Sequence, residues 1–242
     1  ITTRLVGSEM CIRDRGKGNA GIYRKQAAVL RKNIEKYFGA SVEGNDTYAY
    51  YKGNDILRSW ICIPLTVGID ERAGATINAL FSPRLWTENG LLTQAGSDTF
   101  WDRSTLYALR GVYAVGETEK ATEYLHRYST TRLLGGHVPY AIEAWPEGGQ
   151  RHLSAESGLY GRIITEGMFG IRPTGFKSFT LTPRLPEAWN HMALRRIGAF
   201  GAEFDIEIQR LSNNRIQVKI INGNKIQQHV MKVGNTLSIQ LK

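Results

Sequence analysis

The chain has 242 residues, 42% of them hydrophobic, which is enough to build one good core or two modest ones. No run of about 18 apolar residues occurs, so no membrane span is expected, and two cysteines, Cys11 and Cys62, give neither a metal spacing nor a disulfide framework. The formal charge of +9 comes from Lys and Arg scattered without a basic motif, so it reads as a solvated basic surface and not as a nucleic-acid interface.

The opening stretch, ITTRLVGSEMCIRDR (residues 1–15), has no apolar core of signal-peptide length and no helical or strand period. Its SEMCIRDR resembles a translated sequencing-adapter remnant. On that reading residues 1–15 are a non-native tail, Cys62 stands alone, and the natural N-terminus lies upstream of this sequence. Residues 19–38 then read as an amphipathic helix, with Ile22, Ala27, Leu30, Ile34 and Phe38 near one face and Lys and Arg opposite. The stretch VEGNDTYAYYKGND is polar, aromatic and rich in turn residues. Residues 56–69 are almost wholly apolar and predict a buried helix limited by Pro64 and Gly68, and 70–86 predict an amphipathic helix with acids in its first turn.

The same order recurs. A loop, TENGLLTQAGSDTFWDR, precedes a mostly apolar helix at 104–116 and a charged one at 117–134. A long loop over 135–153 leads to a helix over 154–170 that Ser154 can cap and whose first turn holds Glu156. Apolar helices followed by charged ones are what an inner and an outer ring would need. After Gly175 apolar and polar residues alternate at period two, with SNN and NGN as turn signals between runs. Residues 176–242 therefore predict a small antiparallel β-sandwich.

The segment from LFSPRLWTENG through AIEAWPEG and HLSAESGLYGRIITEGMFGIRPTGFKSFTLTPRLP resembles the six-hairpin glycosidases, in their α-L-rhamnosidase-like branch. The shared features are a Glu-x-Trp loop, a helix, GI-x-P, then GF and P-x-L. HLSAESG departs from that branch, which usually shows an Asn-His pair there, and this puts rhamnose specificity in doubt. The resemblance implies a mainly α chain with a C-terminal β domain. Residues 16–175 would be the C-terminal, catalytic half of an (α/α)6 toroid, and 176–242 the β-sandwich.

Hydrolysis of a glycosidic bond uses two carboxyl groups, one protonating the leaving oxygen and one activating water or attacking the sugar. The resemblance places an inverting enzyme's general base at Glu143, with the general acid upstream of this sequence. Asp102, which follows Trp101 and precedes a helix, is the second catalytic candidate. For substrate binding the candidates are Asp98, Trp101, Arg103, Tyr140, Trp145, His152, Glu156 and Trp60. The tryptophans and Tyr140 could stack on sugar faces, the polar residues could bind hydroxyls, and each has an ordinary role in packing, capping or solvation beside the functional one. GGQ and GGH are not phosphate loops, and no metal or cofactor is expected.

The leading expectation is thus a piece of a glycoside hydrolase acting on a plant or microbial glycan, inactive alone, from a periplasmic or secreted bacterial parent. The alternatives are a glycoside phosphorylase on the same architecture, a non-catalytic glycan-binding toroid, or an epimerase or lyase that would use His137 and His152. An oligosaccharide is the expected partner, with neither nucleic acid nor membrane.

Overall fold

The structure is a computed structural model that describes residues 20–135, 138–144 and 154–241. The expectations for residues 1–15, His137, Trp145 and His152 fall outside that set. Helix takes about 37% and strand about 30% of the described residues, in six α-helices and four separate antiparallel sheets. The expectation of a mainly α chain built on half an (α/α)6 toroid is overturned: this is a mixed fold. The physical reason is visible in the segments expected to form the first helical pair. Helix covers only Ile63–Thr66 of the first and Ala73–Leu80 of the second, and β-hairpins lie before and after them in the chain.

Two compact units divide the described chain, one formed by 20–29 with 169–241 and the other by Leu30–Met168. Helix α1, Ala20–Phe38, runs across the division. In the Leu30–Met168 unit it leads directly into a hairpin, β1 (Gly39–Val42) and β2 (Asn45–Tyr48), in full register from Gly39 opposite Tyr48 to Val42 opposite Asn45. Glu43 and Gly44 make the two-residue turn with φ of 46° and 77°, the left-handed pair that matches strand twist. Glu-Gly is a weaker signal for that turn than Asn-Gly, which is why the sequence announced a turn here without its strands.

The apolar run 56–69 is not one helix. A 3-10 turn, Ser59–Cys62, passes into the single helical turn α2, Ile63–Thr66. Pro64 is tolerated in that first turn, but both Val67 and Ile69 return their N–H groups to its carbonyl, and this closes the helix. Helix α3 covers only Ala73–Leu80. The short hairpin β3 (Trp86–Thr87) and β4 (Gly90–Leu91) follows. Helices α4 (Asp102–Ala114) and α5 (Thr118–Tyr128) come next, and α5 widens into a π-type turn over Ser129–Leu133. Helix α6, Ser154–Arg162, widens in the same way over Ile163–Met168. Leu57, Leu65, Leu80, Leu91, Leu106 and Tyr113 lie fully buried in the core of this unit.

In the other unit a three-stranded sheet contains β5 (Arg172–Gly175) and β6 (Ser178–Leu181). A four-stranded meander follows, comprising β7 (His191–Ala199), β8 (Ala202–Arg210), β9 (Arg215–Asn222) and β10 (Lys225–Lys232). Strand β11 (Leu237–Gln240) returns to pair with β6. Period-two alternation sorts the faces of β8: Phe204, Ile206 and Ile208 are buried, while Glu203 is exposed and Asp205 and Glu207 are half-buried. Ile206 and Ile208 stand opposite Ile220 and Val218 of β9, which are also buried. Phe179 of β6 stacks on Phe204, with ring centroids 5.5 Å apart, and so joins the two sheets.

Candidate functional site

Most of the residues singled out from sequence gather at the N-terminal end of α4. The local chain explains why. Trp101 precedes the helix in an extended conformation, and no side chain caps it. Its carbonyl instead receives the Thr105 N–H at 3.0 Å and the Ser104 and Thr105 hydroxyls at 3.1 and 2.9 Å. The Thr105 hydroxyl also accepts the Leu91 N–H at 2.9 Å, and Trp101 donates its own N–H to the Leu91 carbonyl at 2.9 Å. Gly90 permits this stapling: at φ 105°, a Cβ there would stand 2.7 Å from the Thr105 hydroxyl oxygen. The entry to α4 is thereby fixed on β4.

Two charged layers build on it. In the outer layer Arg103 bridges two glutamates. Its Nε and Nη2 each lie 2.7 Å from Glu156 Oε1, and Nη2 lies 3.1 Å from Glu143 Oε1. The side chains of Arg103 and Glu143 are each 29% exposed, whereas Glu156 is fully buried. Glu156 Oε2 is buried with no hydrogen-bond partner among the described residues, an arrangement that is costly unless something else donates to it. Glu156 lies in the first turn of α6, where the helix dipole favours an anion.

In the inner layer Asp102 is wholly buried. Its Oδ2 accepts Arg132 Nη2 at 2.9 Å and the backbone N–H of Ile142 at 2.8 Å. Tyr128 is buried against the same carboxylate, and its hydroxyl is pushed well above its ordinary value, first by burial and then by the charge of Asp102. A buried ion pair of this kind is costly to break from either side. Its geometric effect is on the loop: Asp102 holds the backbone one residue before Glu143.

An aromatic row flanks the outer layer. Trp60 meets Trp101 edge to face at 5.4 Å between ring centroids and Tyr107 at 5.9 Å. The Arg110 guanidinium sits 5.0 Å over the Tyr107 ring and pairs with Glu166 at 2.6 Å. Burial holds Arg110 below its ordinary value, and the negative charge of Glu166 pulls it back up. Arg162 also pairs with Glu166.

The structure therefore brings Asp102, Arg103, Glu143, Glu156, Trp101 and Trp60 into one neighbourhood. Asp98 stands apart as an exposed side chain whose carboxylate accepts the Thr99 hydroxyl at 3.4 Å, and Tyr140 is exposed. Sequence reasoning missed Arg132, Tyr128, Tyr107 and Arg110. The 107–110 spacing was a usable signal, since residues three apart on a helix are neighbours. Nothing in TTRLL marked Arg132 as buried. Among the described residues no three His, Cys, Asp or Glu side chains group to hold a metal ion, and no helix is long and apolar enough to cross a membrane.

No model of a known protein family matches the chain, and no curated protein matches it. With no family match and a fold that is not a toroid, the resemblance to the six-hairpin glycosidases is withdrawn. What remains is the chemistry of the site.

Proposed function

We propose that the Arg103–Glu143–Glu156 cluster is a carbohydrate site and that Glu143 is the general base for hydrolysis of a glycosidic bond. One observation carries the reading. Glu143 is a half-buried carboxylate with access to solvent, held by an arginine that a fully buried glutamate holds in turn. Preorganised charge of this sort positions a reacting group without leaving it mobile. Trp101 and Trp60 supply the apolar faces on which a sugar ring stacks. The unpartnered oxygen of Glu156 accepts from a sugar hydroxyl or a water.

In this scheme Glu143 takes a proton from water as the water oxygen bonds to the anomeric carbon. The bond from that carbon to the leaving oxygen breaks, and a second carboxylic acid protonates the leaving oxygen. Arg103 fills the space between Glu143 and Glu156, so those two do not flank a reacting water, and Glu156 serves as a support. Asp102, turned inward to Arg132 and Ile142, serves as a positioning residue. The acid is a group outside this cluster.

Glycosyl fluorides test the base by itself, because fluoride departs with little need of an acid. A panel of α- and β-glycosyl fluorides should show fluoride release above background with at least one sugar. Glu143→Gln should cut that release by about 100-fold or more, on the scale of general-base contributions, with sugar affinity within about twofold. Failure of every sugar to bind would overturn the reading. One specific observation favours a second reading, a glycan-binding module without turnover: the Arg103 guanidinium lies 3.1 Å from Glu143 Oε1 and so occupies one oxygen of the base. That reading predicts saturable sugar binding, lost in Trp101→Ala, with no fluoride release from any sugar.

A further inference from the structure

A cavity among the described residues shares Trp60 with the charged cluster but none of its charged side chains. It is about 350 Å3 in volume and is walled by Phe38, Tyr48, Tyr50, Trp60, Pro64 and Val67, with isoleucines filling the gaps. That volume falls at the small end of ligand pockets. Polar atoms contribute little to the lining, and the Tyr48 hydroxyl is already committed to Glu35 at 2.9 Å. Val67 and Tyr50 are exposed, at 65% and 48%, so the mouth meets solvent.

Beside this pocket stands Arg58, which has no carboxylate partner among the described residues. The Arg58 guanidinium carbon lies 5.1 Å from the ring centroid of Tyr50, a wall residue, and 6.0 Å from that of Tyr51. Its Nε is buried and has no hydrogen-bond partner among the described residues. Other arginines of this unit, Arg31, Arg72, Arg84, Arg103, Arg110 and Arg132, are all engaged by carboxylates. A buried donor left open carries a desolvation penalty that a bound acceptor would remove.

We infer that this pocket binds a small aromatic anion, with its ring system among Phe38, Tyr48 and Trp60 and its carboxylate on Arg58. Apolar burial supplies the affinity, and the charge-assisted contact to Arg58 selects the acid over the neutral analogue. The inference goes beyond the carbohydrate reading and does not depend on it: Trp60 is common to both, but neither Glu143 nor Arg103 lines the pocket.

The probes are 2-naphthoate and its neutral analogue 2-naphthol, titrated into the full chain and followed by tryptophan fluorescence and calorimetry. Both should bind, 2-naphthoate more tightly. Arg58→Gln should weaken 2-naphthoate by about tenfold or more and leave 2-naphthol within about twofold, on the scale of a hydrogen bond to a charged group. Val67→Glu, at an exposed position that leaves folding intact, should weaken 2-naphthoate more than 2-naphthol by placing like charge at the mouth. Glu143→Gln should change neither. The inference is overturned if neither probe binds the parent chain. Equal losses of both probes in Arg58→Gln, or full 2-naphthoate affinity in both pocket variants, would overturn it too.

Discussion

The acids of β8 and the acids around α4 are the same residue types under opposite rules. On β8, Glu207 points away from Phe204, Ile206 and Ile208, and its pairing with Arg195 is a surface contact at 3.3 Å with the arginine 69% exposed. Around α4, Asp102 and Glu156 are fully buried, each against an arginine. A strand has two faces, and one residue's direction sets the next. A helix N-terminus fed by loops has no such constraint, so its carboxylates go where tertiary partners can neutralise them. Surface pairs of the first kind contribute little to stability, whereas partners of the second kind cannot be removed singly without leaving a buried charge.

The sharpest way to break the comparison is Asp102→Ala. It removes the buried carboxylate that pairs with Arg132 and accepts the Ile142 N–H, so it should cost about 3–5 kcal/mol, read as a shift in urea unfolding. A cost below about 1 kcal/mol would place that pair in the surface class. On the β side Ile208→Val removes one buried methylene and should cost about 0.5–1.5 kcal/mol by the same measurement.

Acid should separate the pairs further. The hydrogen bond from Arg84 holds Glu43 below its ordinary value of 4.5, with burial opposing and the Leu57 N–H assisting. A carboxylate lowered on folding stabilises the protein above its unfolded pKa, and that contribution is lost as pH falls through the folded value. The loss therefore begins near pH 4.5 and continues below it. Arg84→Gln should shrink the difference in urea midpoint between about pH 7 and about pH 3, and an unchanged difference would sink the assignment. The smallest effect belongs to Arg195→Ala, expected within about 0.5 kcal/mol of the parent chain.

The sequence showed the charged neighbourhood more clearly than the fold around it. Glu143 was picked out by the resemblance since withdrawn, and Glu156, Trp101 and Arg103 by their place at loop-to-helix junctions; these do come together. The direction in which Asp102 points was not legible: the same first-turn position serves a solvent-facing acid or a buried one, and partners such as Arg132 and the Ile142 N–H, thirty and forty residues on, decide. The withdrawn toroid had a different cause. Apolar and charged stretches alternate here as ring helices would, but periodicity does not reveal how long each helix survives, and the first pair shrinks to Ile63–Thr66 and Ala73–Leu80.

By itself the sequence determined the period-two strands after Gly175, the turns between them and the absence of a long apolar span, because these depend on near neighbours along the chain. Tertiary structure alone decided the burial of Asp102 and Glu156 and the pairing of Arg103 with two glutamates. Those depend on residues dozens of positions apart, and the free energy that places them is the desolvation and pairing of charge, which no local pattern encodes.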